Sequence, residues 1–132
     1  MINLTINVDF NSPEAIYLQL RNQIILEIAQ NNIKNGESLP SVRQLAEDIG
    51  VNMHTVNKAY AMLRNDGYLT LDRRKGAVVC VSLETRQHSL AAMNVDMRMM
   101  VAEAICKEIS LAEMHQLITD MYKEFDANGG KQ

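Results

Sequence analysis

A three-residue link, Gly50, Val51 and Asn52, joins two stretches of helical periodicity and constrains this chain more than any other feature. A turn that short forces the two helices to cross. Ahead of it, Ser41 and Gln44 stand at capping-box spacing, so that hydroxyl and amide each satisfy an orphan backbone N–H where a helix begins. This helix is short, because Gly50 stands where a left-handed C-terminal cap belongs, and it offers Leu45, Ala46 and Ile49 to a core. After the link, Asn52 is placed as the N-cap of a further helix, whose entry Val51 fixes by packing on Val56. Val56, Ala59, Tyr60 and Leu63 then form an inward stripe at helical spacing. That leaves His54, Asn57 and Lys58 facing outward, with Met53 at the flank.

The flanking segments complete a small architecture. Ser12, Pro13 and Glu14 read as a helix opening, with a hydroxyl cap, a proline at the first helical position and an acid in the first turn. Ile16, Leu20, Ile24 and Ile28 recur every four residues until Asn31, Asn32 and Gly36 end the helix. Behind the outward-facing helix, which stops at Asp66 and Gly67, residues 68–71 and 77–81 read as two strands. The turn between them, 72–76, carries three consecutive cations, Arg73, Arg74 and Lys75. Three helices followed by a basic hairpin is the order of a winged helix-turn-helix.

From Glu84 the composition shifts to methionine and acid: six of the nine Met lie at position 93 or beyond. Met93, Met97, Val101 and Ala104, joined by Met100 and Ile105, are expected on one apolar helix face. Ser110 and Glu113 form a second capping box, with Ile109 and Met114 as its staple. A last helix then turns Leu111, Met114, Leu117, Ile118, Met121 and Phe125 inward before an irregular end at 127–132. The fold class expected is therefore mainly α with a small β-hairpin: a winged helix-turn-helix over 1–83 and an antiparallel helical hairpin over 84–132.

Charge and chemistry-bearing residues narrow the function. The net charge of −3 is uneven: 8 Lys/Arg face 8 Asp/Glu up to Leu83, and 5 face 8 from Glu84 onward, so the deficit belongs to the C-terminal segment. No stretch reaches the roughly 20 apolar residues of a membrane span, and the N-terminus lacks a signal-peptide pattern, which points to a cytoplasmic location. Cys80 and Cys106 are read as two reduced, partly buried thiols. They and the scattered His54, His88 and His115 stand at no metal-ligand spacing, so neither metal nor cofactor is expected. An enzyme is the weakest reading, for lack of a Ser/His/Asp order, a phosphate-cradling glycine loop or a paired-carboxylate context.

With these elements in order, the sequence resembles the GntR family of bacterial regulators, and its short tail is similar to the YtrA-type subfamily. The matching residues are IYLQL at 16–20, GESLPSVRQLA at 36–46, GVN at 50–52, TVNKAY at 55–60 with Leu63, DGY at 66–68, and a wing closing on Lys75 and Gly76. Together they cover roughly residues 10 to 82. The resemblance implies operator binding by a dimer, with the helix of Ser41 and Arg43, the recognition helix and the wing touching DNA. Arg43 matches the family's DNA-contacting arginine, and Asn52, Met53, His54, Thr55 and Asn57 occupy its recognition-helix positions. Several relatives carry arginine where Met53 and Asn57 stand, and neither residue makes arginine's bidentate contact to guanine. Subfamilies with large C-terminal domains bind small molecules there, whereas about 49 residues from Glu84 to Gln132 leave no room for a large effector pocket.

The residue chemistry agrees with that implication. Asn57 suits an adenine edge, His54 donates or accepts, Thr55 suits a phosphate or a thymine methyl, and Met53 offers an apolar contact. Arg43, Lys58, Arg73, Arg74 and Lys75, with Gly76 beside them, are placed to neutralise phosphates or enter the minor groove. The expected partners are a pseudo-palindromic double-stranded operator and a second copy of the chain, paired through Met93, Met97, Met100, Val101, Ala104, Met114, Leu117, Ile118 and Met121. Two alternatives stay open: a winged helix that binds protein instead of DNA, and C-terminal helices that fold back on their own winged part.

Overall fold

The computed structural model describes residues 4–127, in the order α1 (Ile16–Ala29), α2 (Val42–Ile49), α3 (Met53–Asn65), β1 (Leu69–Asp72), β2 (Gly76–Val79), α4 (Arg86–Cys106) and α5 (Leu111–Ala127). A single 3₁₀ turn, Leu83–Thr85, leads from β2 into α4. Of the irregular end expected at 127–132, Ala127 still belongs to α5, and 128–132 lie outside the described residues.

The crossing of α2 and α3 rests on local chemistry. Ser41 Oγ accepts from Gln44 N at 3.1 Å, Gly50 closes α2 in the left-handed region at φ 71°, and Asn52 Oδ1 accepts from His54 N at 2.7 Å. Each of the two side-chain N-caps, Ser41 and Asn52, contributes about 1 kcal/mol. Only half of the first capping box forms: Gln44 Nε2 donates instead to Asp48 Oδ1, at 2.7 Å. The second box is reciprocal, with Ser110 N donating to Glu113 Oε2 at 2.7 Å and Glu113 N to Ser110 Oγ at 3.1 Å.

Helix α1 starts later than Ser12 and Pro13 suggest. Ser12 Oγ accepts from Glu14 N two residues on, and Ala15, at ψ 140°, is still extended, so the cap chemistry serves a turn ahead of the helix. Glutamines of α1 hold the N-terminal segment: Asn7 N donates to Gln23 Oε1 and Asp9 N to Gln19 Oε1, both at 2.9 Å, while each amide nitrogen donates back to the same residue's carbonyl.

The core gathers one stripe from each helix of the winged part. Leu20 and Ile24 of α1, Leu45 of α2, Val56 and Leu63 of α3 and Val79 of β2 are wholly buried, and Ile6, Ile33, Leu39, Ala46, Ala59, Tyr60 and Leu69 join them. Each large aliphatic side chain so buried contributes roughly 1.5–3 kcal/mol. The wing is antiparallel, pairing Leu69 with Val79 through Asp72 with Gly76. Residues 37–39, where sequence predicts no element, run alongside β2 through an isolated bridge. Val79 N donates to Glu37 O at 2.9 Å, Leu39 N to Ala77 O at 2.8 Å, and Ser38 bridges Val78.

Two further expectations are corrected. The apolar residues of α4 are not confined to the expected face: Val95 and Met99, which lie off it by helical spacing, are 68% and 63% exposed, alongside Met93, Met97, Met100, Val101 and Ile105 of that face. Cys80 and Cys106 are both exposed, not partly buried. Neither α4 nor α5 packs down on the winged part, and in these two helices only Ala104 is buried among the described residues. An open, largely apolar cleft of about 690 Å³ separates Ile118, Met121 and Phe125 of α5 from Ile25 and Ile28 of α1 and from Tyr68. A roomy cavity therefore exists, between the tail and the winged part and not within the tail. Among the described residues no helix is long and apolar enough to cross a membrane.

Candidate nucleic-acid interface

Helix α3 is held by its inner stripe, with Val56, Ala59, Tyr60 and Leu63 buried as their spacing implies. Its opposite side and N-terminal end are consequently bare: Asn52, Met53, His54, Asn57 and Lys58 are exposed and Thr55 is half-buried. Tyr60 adds a polar anchor, its hydroxyl donating to Pro40 O at 2.7 Å. Burial pushes that hydroxyl's pKa far above the ordinary tyrosine value.

Two clefts flank the bare end. One, of about 680 Å³, lies between the starts of α2 and α3 and is lined by Val42, Asn52, Met53, His54 and Asn57. The other, of about 590 Å³, runs between α3 and the wing and brings Ser41, Asn57, Arg74, Lys75 and Gly76 together with Arg64. Asn57 borders both, so it stands on the ridge between the recognition-helix end and the wing.

The tip of the wing is fixed by its own acid. Asp72 Oδ1 accepts from Arg74 N at 2.8 Å and from Lys75 N at 2.9 Å, and these two backbone donors hold its carboxyl below the usual carboxylate range. The carboxylate is thereby engaged with the turn, while Arg73, Arg74 and Lys75 stay exposed. Arg43, on the first turn of α2, is exposed but borders neither cleft, and the same holds for Arg73 and Lys58; half-buried Thr55 borders neither as well. Lys58 leans onto α1, its Nζ 4.0 Å from the centre of the Tyr17 ring. That cation–π contact is worth about 0.5–1 kcal/mol at an exposed site and holds Lys58 beside α3. Tyr17 figures in sequence only within the matching run 16–20, and Arg64 not at all, so neither is a site candidate there. Arg64 does lie seven residues, two helical turns, after Asn57, and that spacing is the signal that would have found it.

The model of the bacterial regulatory proteins of the gntR family matches residues 14–79, the stretch that carries this capped helix-turn-helix and its wing. The chain belongs to the GntR family. As a member it is a DNA-binding transcription regulator. This GntR-family chain is 28% identical over 129 residues to the transcriptional repressor YtrA of Bacillus subtilis (strain 168), a match that spans 96% of the chain and 98% of the repressor. Its fold is similar over 94% of both chains, with a TM-score of 0.80 and 22% identity, to a crystal structure described as a transcriptional antiterminator from Listeria monocytogenes EGD-e. The DNA-binding domain of AraR, solved in complex with operator ORX1, superposes with a TM-score of 0.50 and 26% identity over 59% of the GntR-family chain and 100% of that domain.

Of the residues named for self-association, Met93, Met97, Met100, Val101, Leu117 and Met121 are 45–57% exposed, Met114 and Ile118 are half-buried, and Ala104 is already buried within its own chain. A shallow groove of about 450 Å³ follows α4 between Met97, Val101 and Ile105.

Proposed function

We propose that this regulator is a homodimeric repressor in which residues 1–83 grip one operator half-site and residues 84–132 pair two copies. The observation that carries the reading is the position of Asn57, which borders both the cleft at the recognition-helix end and the groove leading to the cationic wing tip. One side of the molecule thus offers hydrogen-bonding side chains for a major groove next to cations for the neighbouring backbone or minor groove. In this reading Asn57, His54, Thr55, Met53 and Asn52 meet base edges. Ser41, Arg43, Lys58, Arg73, Arg74, Lys75 and Gly76 meet phosphates and sugars.

Pairing follows from area and exposure. A helix that leaves many large apolar side chains wet is costly as a surface, and α4 exposes Met93, Val95, Met97, Met99, Met100, Val101 and Ile105 together. A two-fold copy covers such a surface and supplies the second reading head that tight specific binding needs. The name of the similar Bacillus subtilis protein adds repression, and the resemblance adds control of the chain's own or a neighbouring transporter-type operon.

The test is to sequence the DNA fragments retained by the purified chain and to titrate the recovered site by anisotropy at several salt concentrations. Selective binding that weakens steeply with salt is expected. Absence of selective binding at every fragment overturns the reading and leaves the protein-binding winged helix in its place.

A further inference from the structure

The groove between α3 and the wing holds a residue that neither the resemblance nor the sequence pattern assigned. Arg64 lies in the last turn of α3, exposed, and it lines this groove opposite Arg74 and Lys75. No carboxylate is among the lining residues, and none of the three cations makes an ion pair among the described residues; the one ion pair there, Arg21 with Asp66, lies elsewhere. Asp72, the nearest acid along the chain to the wing cations, is engaged with the backbone of its own turn. The floor is apolar, built by Leu39, Pro40, Leu69 and Ala77, with Leu71, 65% exposed, along the wing side.

Cations facing each other across an apolar floor match a ligand that is anionic along one edge and hydrocarbon-like along the other. A free anion has no use for such a floor, whereas a deoxyribose-phosphate strand has both faces. The place of the groove also fits: its lining includes Asn57 of the recognition-helix end together with Arg74, Lys75 and Gly76 of the wing, so it adjoins both parts that would touch the duplex. Arg64 stands about 10 Å along the helix axis from Asn57, beyond the reach of the bases that the recognition-helix end would read. A guanidinium there grips a phosphate through paired N–H donors and contributes affinity without sequence information.

We propose that the groove between α3 and the wing seats one sugar-phosphate strand of the duplex and that Arg64 clamps a phosphate of that strand. This rests on the DNA-binding reading above and deepens it. The experiment compares wild type, Arg64→Ala and Arg64→Lys on a fluorescein-labelled duplex carrying the recovered site and on a scrambled duplex of the same composition, across a salt series. Arg64→Ala is expected to weaken both duplexes by the same factor, roughly three- to tenfold, and to reduce the slope of log affinity against log salt by about one. Arg64→Lys is expected to restore the slope, since a point charge suffices for the counterion term. A thermal melt unchanged by Arg64→Ala is expected with it, because the side chain is exposed, and excludes a merely structural loss. Wild-type slope retained in Arg64→Ala overturns the groove assignment alone. A wild-type chain that binds neither duplex in a salt-dependent way overturns the DNA-binding reading with it.

Discussion

The hydroxyl of Tyr60 donates to the carbonyl of Pro40 across 2.7 Å in a buried setting, which ties the middle of α3 to the residue just before the cap of α2. Twenty residues of helix, turn and helix separate the two, so one bond closes the helix-turn-helix into a unit. Tyr60→Phe leaves the buried Pro40 carbonyl without its partner and is expected to cost about 1–3 kcal/mol, lowering Tm by several degrees. A calorimetric scan of the variant checks this, and a melting point equal to wild type would show the bond to be dispensable.

The same hydroxyl sets an alkaline limit. Burial raises its pKa in the folded chain above the ordinary value of 10.0, so folding favours the protonated form. The stabilisation this represents is complete below the unfolded-state value and is lost progressively as pH rises past it, because only the unfolded chain then ionises freely. Denaturant midpoints measured upward from neutral pH should therefore fall above about pH 10 in wild type and fall less steeply in Tyr60→Phe. Parallel curves would assign the alkaline loss to other groups.

What could be read ahead of the structure was the local chemistry. Ser41, Gly50 and Asn52 cap where they were placed, because a cap depends on residues within one turn of each other. The buried stripe of α3 follows in the same way from spacing alone. Competition between equal local partners was not legible: Gln44 turns to Asp48 although Ser41 is within capping range, and Ser12 serves a turn ahead of α1. Nor were contacts between distant segments, such as the bridge of 37–39 to β2, the stacking of Lys58 on Tyr17 or the groove that Arg64 shares with Arg74. In α4 the periodicity misled, since Val95 and Met99 fall outside the stripe that Met93, Met97 and Val101 define.

Gly67 and Gly50 separate backbone strain from steric exclusion. Both sit at positive φ, 86° and 71°, but a Cβ at Gly50 meets nothing within 4 Å while one at Gly67 meets Thr85 Oγ1 at 2.7 Å and Cγ2 at 3.0 Å. Gly50→Ala is expected to cost only the left-handed strain, about 1–2 kcal/mol. Gly67→Ala should cost visibly more, and should cost no more than Gly50→Ala once Thr85→Ala has removed the obstructing atoms. The double-mutant cycle reads the coupling directly, and additive costs would rule out the Thr85 contact as the cause.

Asn57 and the wing cations should fail differently. Asn57→Ala removes donor and acceptor from the ridge between the two clefts, and the expected loss is about 1–3 kcal/mol at one base pair of the site, with little change in salt slope. Replacing Arg73, Arg74 and Lys75 together by alanine should weaken all sequences alike and flatten the salt dependence. Competition titrations with single-base variants of the recovered site distinguish the patterns. Equal losses across every variant for Asn57→Ala would move it from the bases to the backbone.

Self-association is open to a charge test because its surface is bare in the single chain. Met97 and Val101 lie four residues apart on α4, 46% and 45% exposed, on one side of the helix. Glutamates at both positions stay solvated in an isolated chain, so helix content by circular dichroism should hold. In a paired chain the same carboxylates are buried without partners, at several kcal/mol each, which is enough to dissociate a dimer of ordinary affinity. Met97→Glu with Val101→Glu is therefore expected to sediment as a monomer and to lose operator affinity together with cooperativity, while its winged part melts as before. If the mass of the double variant stays that of the wild type in solution, this side of α4 is not where two copies meet, and the pairing surface must be sought along Leu117 and Met121 of α5.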